Sequence, residues 1–197
     1  MKVLDLFCGM GGWSKPFIED GDEVWGIDVK DFHYPGILIK EDIRALDGYG
    51  FGDMDLIIGS PPCSEFSKAK ENRRTPSEGL RLVKEFERFI AEAQPRAWLM
   101  ENVSQMAKFY SPKPIWTFRI GAQATRHLWG NVSIPLSPQF RFPNRILDTK
   151  RGRFYAKRRG LKPFTGQQFA EIPYPIARFI ADTVKAEVFT YNSEAKS

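Results

Sequence analysis

Four apolar runs punctuate the first half of the chain, and each ends abruptly at a turn: Lys2-Val3-Leu4-Asp5-Leu6-Phe7, Glu23-Val24-Trp25-Gly26-Ile27, Met54-Asp55-Leu56-Ile57-Ile58-Gly59 and Ala97-Trp98-Leu99-Met100. Short, nearly continuous stretches of Val, Ile and Leu predict strands buried on both faces, as in a parallel sheet. Ile37-Leu38-Ile39 is a shorter run of the same kind. The period changes after residue 75. Val83, Phe86, Ile90 and Ala93 recur at helical spacing, with Lys84, Glu85, Glu87 and Arg88 between them, which predicts a core-facing helix whose charged side lies in solvent. Thr75-Pro76-Ser77-Glu78 reads as its start, with Thr75 as N-cap, Pro76 in the first turn and Glu78 closing a capping box. Ile115–Ile120 and Val132–Leu136 read as later strands joined by Gln123–Gly130, and Ile176, Ile180 and Val184 mark a closing helix behind Ile172-Pro173-Tyr174-Pro175. Strands alternating with helices predict an α/β domain, and 197 residues suffice for one core.

Composition narrows the class. Charged residues make up 27% and no apolar run approaches the roughly 18 residues of a membrane helix, so a soluble, cytoplasmic chain without membrane attachment is expected. Two cysteines, Cys8 and Cys63, form neither a disulfide framework nor a metal-type pair, and no metal site is expected. The net charge of +5 is concentrated in the last third. Residues 138 to 162 hold Arg141, Arg145 and further Arg and Lys against one acid, Asp148, interleaved with Phe140, Phe142, Phe154 and Tyr155. That mixture suits phosphate contacts and base stacking, or is simply a solvated basic loop.

Chemistry gathers where the runs stop. Ser60-Pro61-Pro62-Cys63-Ser64 ends the third run, because proline fixes φ and has no N–H for a ladder. It leaves Cys63 past the carboxyl end of a strand, where α/β sheets bind ligands, so Cys63 is either a candidate nucleophile or a small residue packing a loop. Cys8-Gly9-Met10-Gly11-Gly12-Trp13-Ser14 follows the first run and lets a ligand approach the backbone, although Ser14 stands where a dinucleotide fingerprint requires glycine. Asp28 ends the second run at about the 20-residue spacing of a ribose-binding acid. Asp42 could accept from an adenine amino group with Ile43 packing on the ring; equally, both acids could be helix caps or loop acids. Residues 65 to 74 form a polar, basic lid-like loop containing Ser67, Lys68, Arg73 and Arg74. His33 and His127 are isolated and carry no assigned role.

Asp5-Leu6-Phe7-Cys8-Gly9-Met10-Gly11-Gly12, then Pro61-Pro62-Cys63 with Phe66-Ser67, then Glu101-Asn102-Val103, stand in order on successive strand ends over residues 1 to about 105. Together they resemble the DNA (cytosine-5)-methyltransferase family. The resemblance implies a doubly wound, mostly parallel, Rossmann-like sheet that binds S-adenosylmethionine, with Phe7, Gly9 and Gly11 at the methionine and adenosine, Asp28 at the ribose, and Asp42 with Ile43 at the adenine. It implies that Cys63 adds to C6 of a cytosine flipped out of the duplex while Glu101, as an acid, hydrogen-bonds to N3. It also implies substrate contacts from Ser67, Lys68, Arg73, Arg74, Arg141 and Arg145, and a helix over 170–190 that closes the cofactor pocket. The family's arginine that reads cytosine O2 has no match at the usual spacing; Arg126 is the preferred candidate over Arg141 and Arg145. The expectation is a single methyltransferase domain over 1–197 without the family's large target-recognition domain, with residues 138 to 168 left to do its work. A homodimer or an accessory recognition protein could complete the grip on DNA. Cytosine methylation of RNA and a non-catalytic nucleic-acid-binding subunit are the competing readings, while Ser14, Cys63 and Glu101 count against a nicotinamide oxidoreductase.

Overall fold

A computed structural model describes residues 1–66, 75–120, 124–135 and 172–194. Ser67, Lys68, Arg73, Arg74, Gln123, Arg141, Arg145 and the basic stretch 138–168 lie outside the described residues. The four apolar runs become β1 (Lys2–Leu6), β2 (Glu23–Asp28), β4 (Leu56–Gly59) and β5 (Ala97–Val103), and the short run becomes β3 (Ile37–Lys40). With β6 (Trp116–Ile120) and β7 (Ala124–Gly130) they form one seven-stranded sheet in the order β3-β2-β1-β4-β5-β7-β6. All pairings from β3 to β5 are parallel, and β7 runs antiparallel to both β5 and β6. The chain first winds outward from β1 to β3 and then returns to the other side through β4, so the strand order reverses between β1 and β4. The carboxyl ends of those two strands are held level by the pairing of Leu6 with Gly59. A reversal of this kind splays the connections apart and leaves a crevice above the strand ends.

Two cores cover the faces of this sheet. On one, α1 (Lys15–Glu19) and α3 (Tyr174–Glu194) pack over the strands, with Ile176, Ile180 and Val184 fully buried as their spacing predicts. Arg178 fastens α3 to α1, donating to Asp20 Oδ1 at 2.9 Å and to the Pro16 carbonyl at 3.3 Å. On the other face α2 (Ser77–Ala93) buries Val83, Phe86 and Phe89.

Several local expectations need correction. Val132–Pro135 is not a strand; the last strand is Ala124–Gly130, which had read as a connection because Arg126 and His127 interrupt its apolar pattern. The capping box does not form. Pro76, with ψ 71°, lies outside helical space, so α2 opens at Ser77 without a local side-chain cap. Glu65 supplies the missing acceptor from the turn after Cys63, taking the Gly79 N–H at 2.7 Å. The charged face of α2 is not all solvated either, because Arg88 reaches across to donate to the carbonyls of Ile43 and Leu46 at 3.0 and 2.9 Å.

Ser14 also has a positive task. It does not cap α1 with its side chain; its hydroxyl instead donates to the fully buried Asp5 at 2.6 Å and lies 2.7 Å from the Tyr34 hydroxyl. Burial lifts the Asp5 pKa from 3.8 to about 7 against the pull of Ser14. Below the unfolded value both states hold the proton. Between there and about pH 7 only the folded chain keeps it, so stability falls as pH rises across that window and levels off above it. Asp5→Asn is expected to flatten that slope and to raise the melting temperature at pH 8 more than at pH 4, as urea and thermal unfolding at the two pH values would show.

Candidate active site

The Pro-Pro-Cys turn is held from three directions. Its first residue, Ser60, donates its N–H to the Leu6 carbonyl at 3.2 Å, so the chain leaves β4 still bound to β1. Asn102, fully buried at the end of β5, donates its side-chain amide to the Pro61 carbonyl at 2.9 Å and accepts the Val103 N–H at 2.9 Å. Trp13, from the glycine turn, donates its indole N–H to Ser60 Oγ at 3.0 Å. Cys63 therefore stands half-buried on a turn tied to both neighbouring strands.

Pairing of Val103 with Arg126 in the β5–β7 ladder carries Arg126 to this edge. Its Nη1 lies 3.9 Å from Cys63 Sγ, and its Nε lies 3.5 Å from Glu101 Oε1. Glu101 and Arg126 are each only 4% exposed, which leaves the pair almost without solvent. Glu101 Oε1 and Arg126 Nε have no hydrogen-bond partner among the described residues. Buried polar atoms left in this state are costly, and at a sheet's ligand-binding edge they are available to a polar ligand. Burial pushes the Glu101 carboxyl pKa upward, opposed by the Arg126 charge and a hydrogen bond from Ser60. Burial acts to lower the Arg126 pKa, but the Glu101 and Cys63 charges outweigh it and the net direction is up. The arrangement places a thiol, a carboxyl group inclined to hold its proton and a fixed cation side by side.

The glycine turn lies next to it. Phe7, Gly9 and Gly11 all have positive φ, at 59°, 52° and 74°. A Cβ on Gly9 would meet nothing within 4 Å, whereas one on Gly11 would strike Pro35 Cδ at 2.7 Å. Gly9 thus faces open space and Gly11 faces the loop after β2. Asp28 accepts the Gly9 N–H at 3.0 Å and the Lys30 N–H at 3.1 Å, fastening the ends of β1 and β2 together. Val29, next to it, is 55% exposed, an apolar surface beside the turn that the strand pattern gave no reason to single out. Asp42 takes the capping role: its Oδ1 accepts the Arg44 N–H and Nε–H, both at 2.9 Å, and Arg44 holds its pKa well below the usual carboxylate range. Ile43 is 3% exposed and packs into the α2-side core. The structure therefore brings Cys63, Glu101 and Arg126 together, and Phe7, Gly9 and Asp28 beside them, while Asp42 and Ile43 are engaged within the fold. The sequence reading passed over Ser60, Trp13 and Asn102; an indole beside a strand-ending turn was the available signal for Trp13.

A mostly parallel sheet whose order reverses beside a glycine turn defines a Rossmann-like fold. A DNA modification methyltransferase encoded within a prophage (E. coli) superposes with a TM-score of 0.50 at 24% identity, over 66% of this chain and 46% of that one. The chain belongs to the C-5 cytosine-specific DNA methylase family, whose model matches residues 1–117. It is 33% identical over 117 residues to the type II methyltransferase M.DdeI of Desulfomicrobium norvegicum, covering 52% of this chain and 28% of the relative. It is likewise 33% identical over 116 residues to M.FnuDI of Fusobacterium nucleatum, covering 54% of this chain and 33% of the relative. The chain thus spans about a third of the length of these curated relatives. No helix among the described residues is long and apolar enough to cross a membrane.

Proposed function

We propose that this chain transfers a methyl group from S-adenosylmethionine to C5 of cytosine in DNA through a covalent bond between Cys63 and C6. The observation that carries the proposal is the convergence of Cys63 Sγ, Glu101 and Arg126 within 3.9 Å of their neighbours at one strand edge. Cytosine C5 is a poor nucleophile. Addition of the Cys63 thiolate to C6 forms the S–C6 bond and drives the C5=C6 electron pair toward C5 and the N3 side of the ring. Glu101, whose burial favours the protonated form, donates to N3 as that charge develops. Arg126 supports the thiolate and offers its guanidinium to O2. After transfer a base removes the C5 proton, the S–C6 bond breaks, and the electron pair returns to sulfur. The target atoms are shielded inside a duplex, so the cytosine enters this edge flipped out of the stack or already single-stranded.

The glycine turn suits the cofactor. Gly9 opens onto unfilled space, Asp28 is anchored beside it with acceptor capacity for ribose hydroxyls, and Val29 offers apolar cover for a purine. When bound there, S-adenosylmethionine supplies the electrophilic methyl group that activated C5 receives. Phe7, Gly9, Asp28 and Val29 would hold it, with Arg44 and Arg88 keeping the Asp42 turn in place. The basic stretch 138–168 grips the phosphates.

The test is mass spectrometry of the chain with S-adenosylmethionine and oligonucleotides carrying 5-fluorocytosine, which has no C5 proton to release and so retains the S–C6 bond. An adduct on DNA mapped to the Cys63 peptide is the expected result. An adduct on RNA alone would reassign the substrate, and none on either polymer would overturn the proposal.

A further inference from the structure

The ring of Tyr34 fills a slot bounded by three glycines. A Cβ on Gly26 of β2 would lie 2.6 Å from its Cζ, one on Gly36 2.9 Å from its Cε1, and one on Gly11 of the glycine turn 3.2 Å from its Cε2. A side chain at Gly26 or Gly36 would displace the ring, which is only 9% exposed. The hydroxyl at its tip lies 2.7 Å from Ser14 Oγ. Ser14 gives its single proton to Asp5 at 2.6 Å, so in that arrangement it accepts from Tyr34. Pro35, the next residue, completes the contact by covering Gly11. The loop over residues 29–36 is thus held against the Gly11 side of the turn, and Gly9 is left as the open side. At its near end the same loop is tied to the turn by Asp28, which accepts the Gly9 N–H.

We infer that Tyr34 is a positioning residue for the cofactor: by fastening the far end of this loop to Ser14, it fixes the spacing between the glycine turn and Asp28 with Val29. The inference rests on the reading of that turn as the S-adenosylmethionine site. Tyr34 acts through the two walls of the site, which one side chain holds at a set distance before the ligand arrives. Without the hydroxyl, Ser14 still has Asp5, but the loop loses its polar tie and must be ordered as the ligand binds, which weakens binding.

The experiment follows two properties of the full chain: affinity for S-adenosylhomocysteine by calorimetry, and amide hydrogen exchange by NMR without ligand. Tyr34→Phe keeps the ring and removes the hydroxyl, while Tyr34→Leu also empties part of the slot. The Kd should rise roughly three- to tenfold in Tyr34→Phe, the size of one lost hydrogen bond, and further in Tyr34→Leu. The amides of Gly11, Ser14 and Lys15, whose bonds to the carbonyls of Cys8 and Gly11 build the turn, should exchange faster in both variants while those of β5 keep their rates. Faster exchange spread equally over β5 would mean a general loss of stability and would overturn the inference. So would a Kd within twofold of the unchanged chain's in both variants. The reading beneath it fails differently: no binding by the unchanged chain itself removes the cofactor site, and the binding role of Tyr34 with it.

Discussion

Cys63→Ser is expected to lower methyl transfer by at least roughly 10³-fold and to abolish the 5-fluorocytosine adduct while leaving the melting temperature nearly unchanged. The argument is chemical and local. A serine hydroxyl becomes a comparable nucleophile only if a neighbour removes its proton as it attacks. The Arg126 guanidinium, 3.9 Å from Cys63 Sγ, has protons to give and no lone pair to take one. Glu101 cannot serve either, since burial inclines it to keep its own proton. The fold should notice little: Cys63 is only half-buried, and replacing sulfur by oxygen there costs about 0.5 kcal/mol or less. Cys8 provides an internal control. It is buried, and burial with the Asp5 and Asp28 charges pushes its thiol pKa far up. A brief treatment with iodoacetamide at pH 8 should therefore label Cys63 and spare Cys8, and Cys63→Ser should take up no label. Loss of labelling with retained transfer would mean that Cys63 is accessible and idle, and the covalent route would fall.

What could be read from the chain followed from how each element earns its stability. β1, β2, β4 and β5 are buried on both faces, so their sequences are nearly unbroken apolar runs with visible ends. The glycine turn, Cys63 and Glu101 were legible for the same reason, since each sits where such a run stops. β7 was hidden because its inward positions include Arg126, a cation whose burial depends on Glu101 in another strand. A single-sequence pattern has no way to show that a charge is buried when its partner is 25 residues distant. The start of α2 was misplaced for a related reason: its cap is Glu65, fourteen positions away, and Thr75 offered a local alternative the backbone does not use. Ser14 looked like a defect in a fingerprint, and its hydroxyl turns out to satisfy a buried Asp5. Asp42 illustrates the opposite limit: the capping reading was legible in the sequence, but its pairing with Arg44, two positions on, was not.

Arg126→Ala should destabilise the chain by about 3–5 kcal/mol near neutral pH, because it strands the Glu101 carboxylate in a site that excludes water. The deficit should depend on pH in a definite sense. Glu101 already has its pKa raised by burial, and Arg126 is the main restraint on that rise. Without the guanidinium the folded-state value climbs further above the unfolded one. The folded chain then holds a proton that the unfolded chain releases over a wider window, and stability falls across that window as pH rises. The penalty should therefore be large at pH 8 and shrink toward pH 5, where Glu101 can be neutral. Glu101→Gln supplies the matching background: with no carboxylate to strand, Arg126→Ala should cost much less there, and the difference between the two backgrounds measures the coupling of the pair. Urea unfolding of the four chains at both pH values completes the cycle. A deficit that is equal in both backgrounds and at both pH values would mean that Arg126 acts through packing alone. The 3.5 Å approach to Glu101 would then be proximity without coupling.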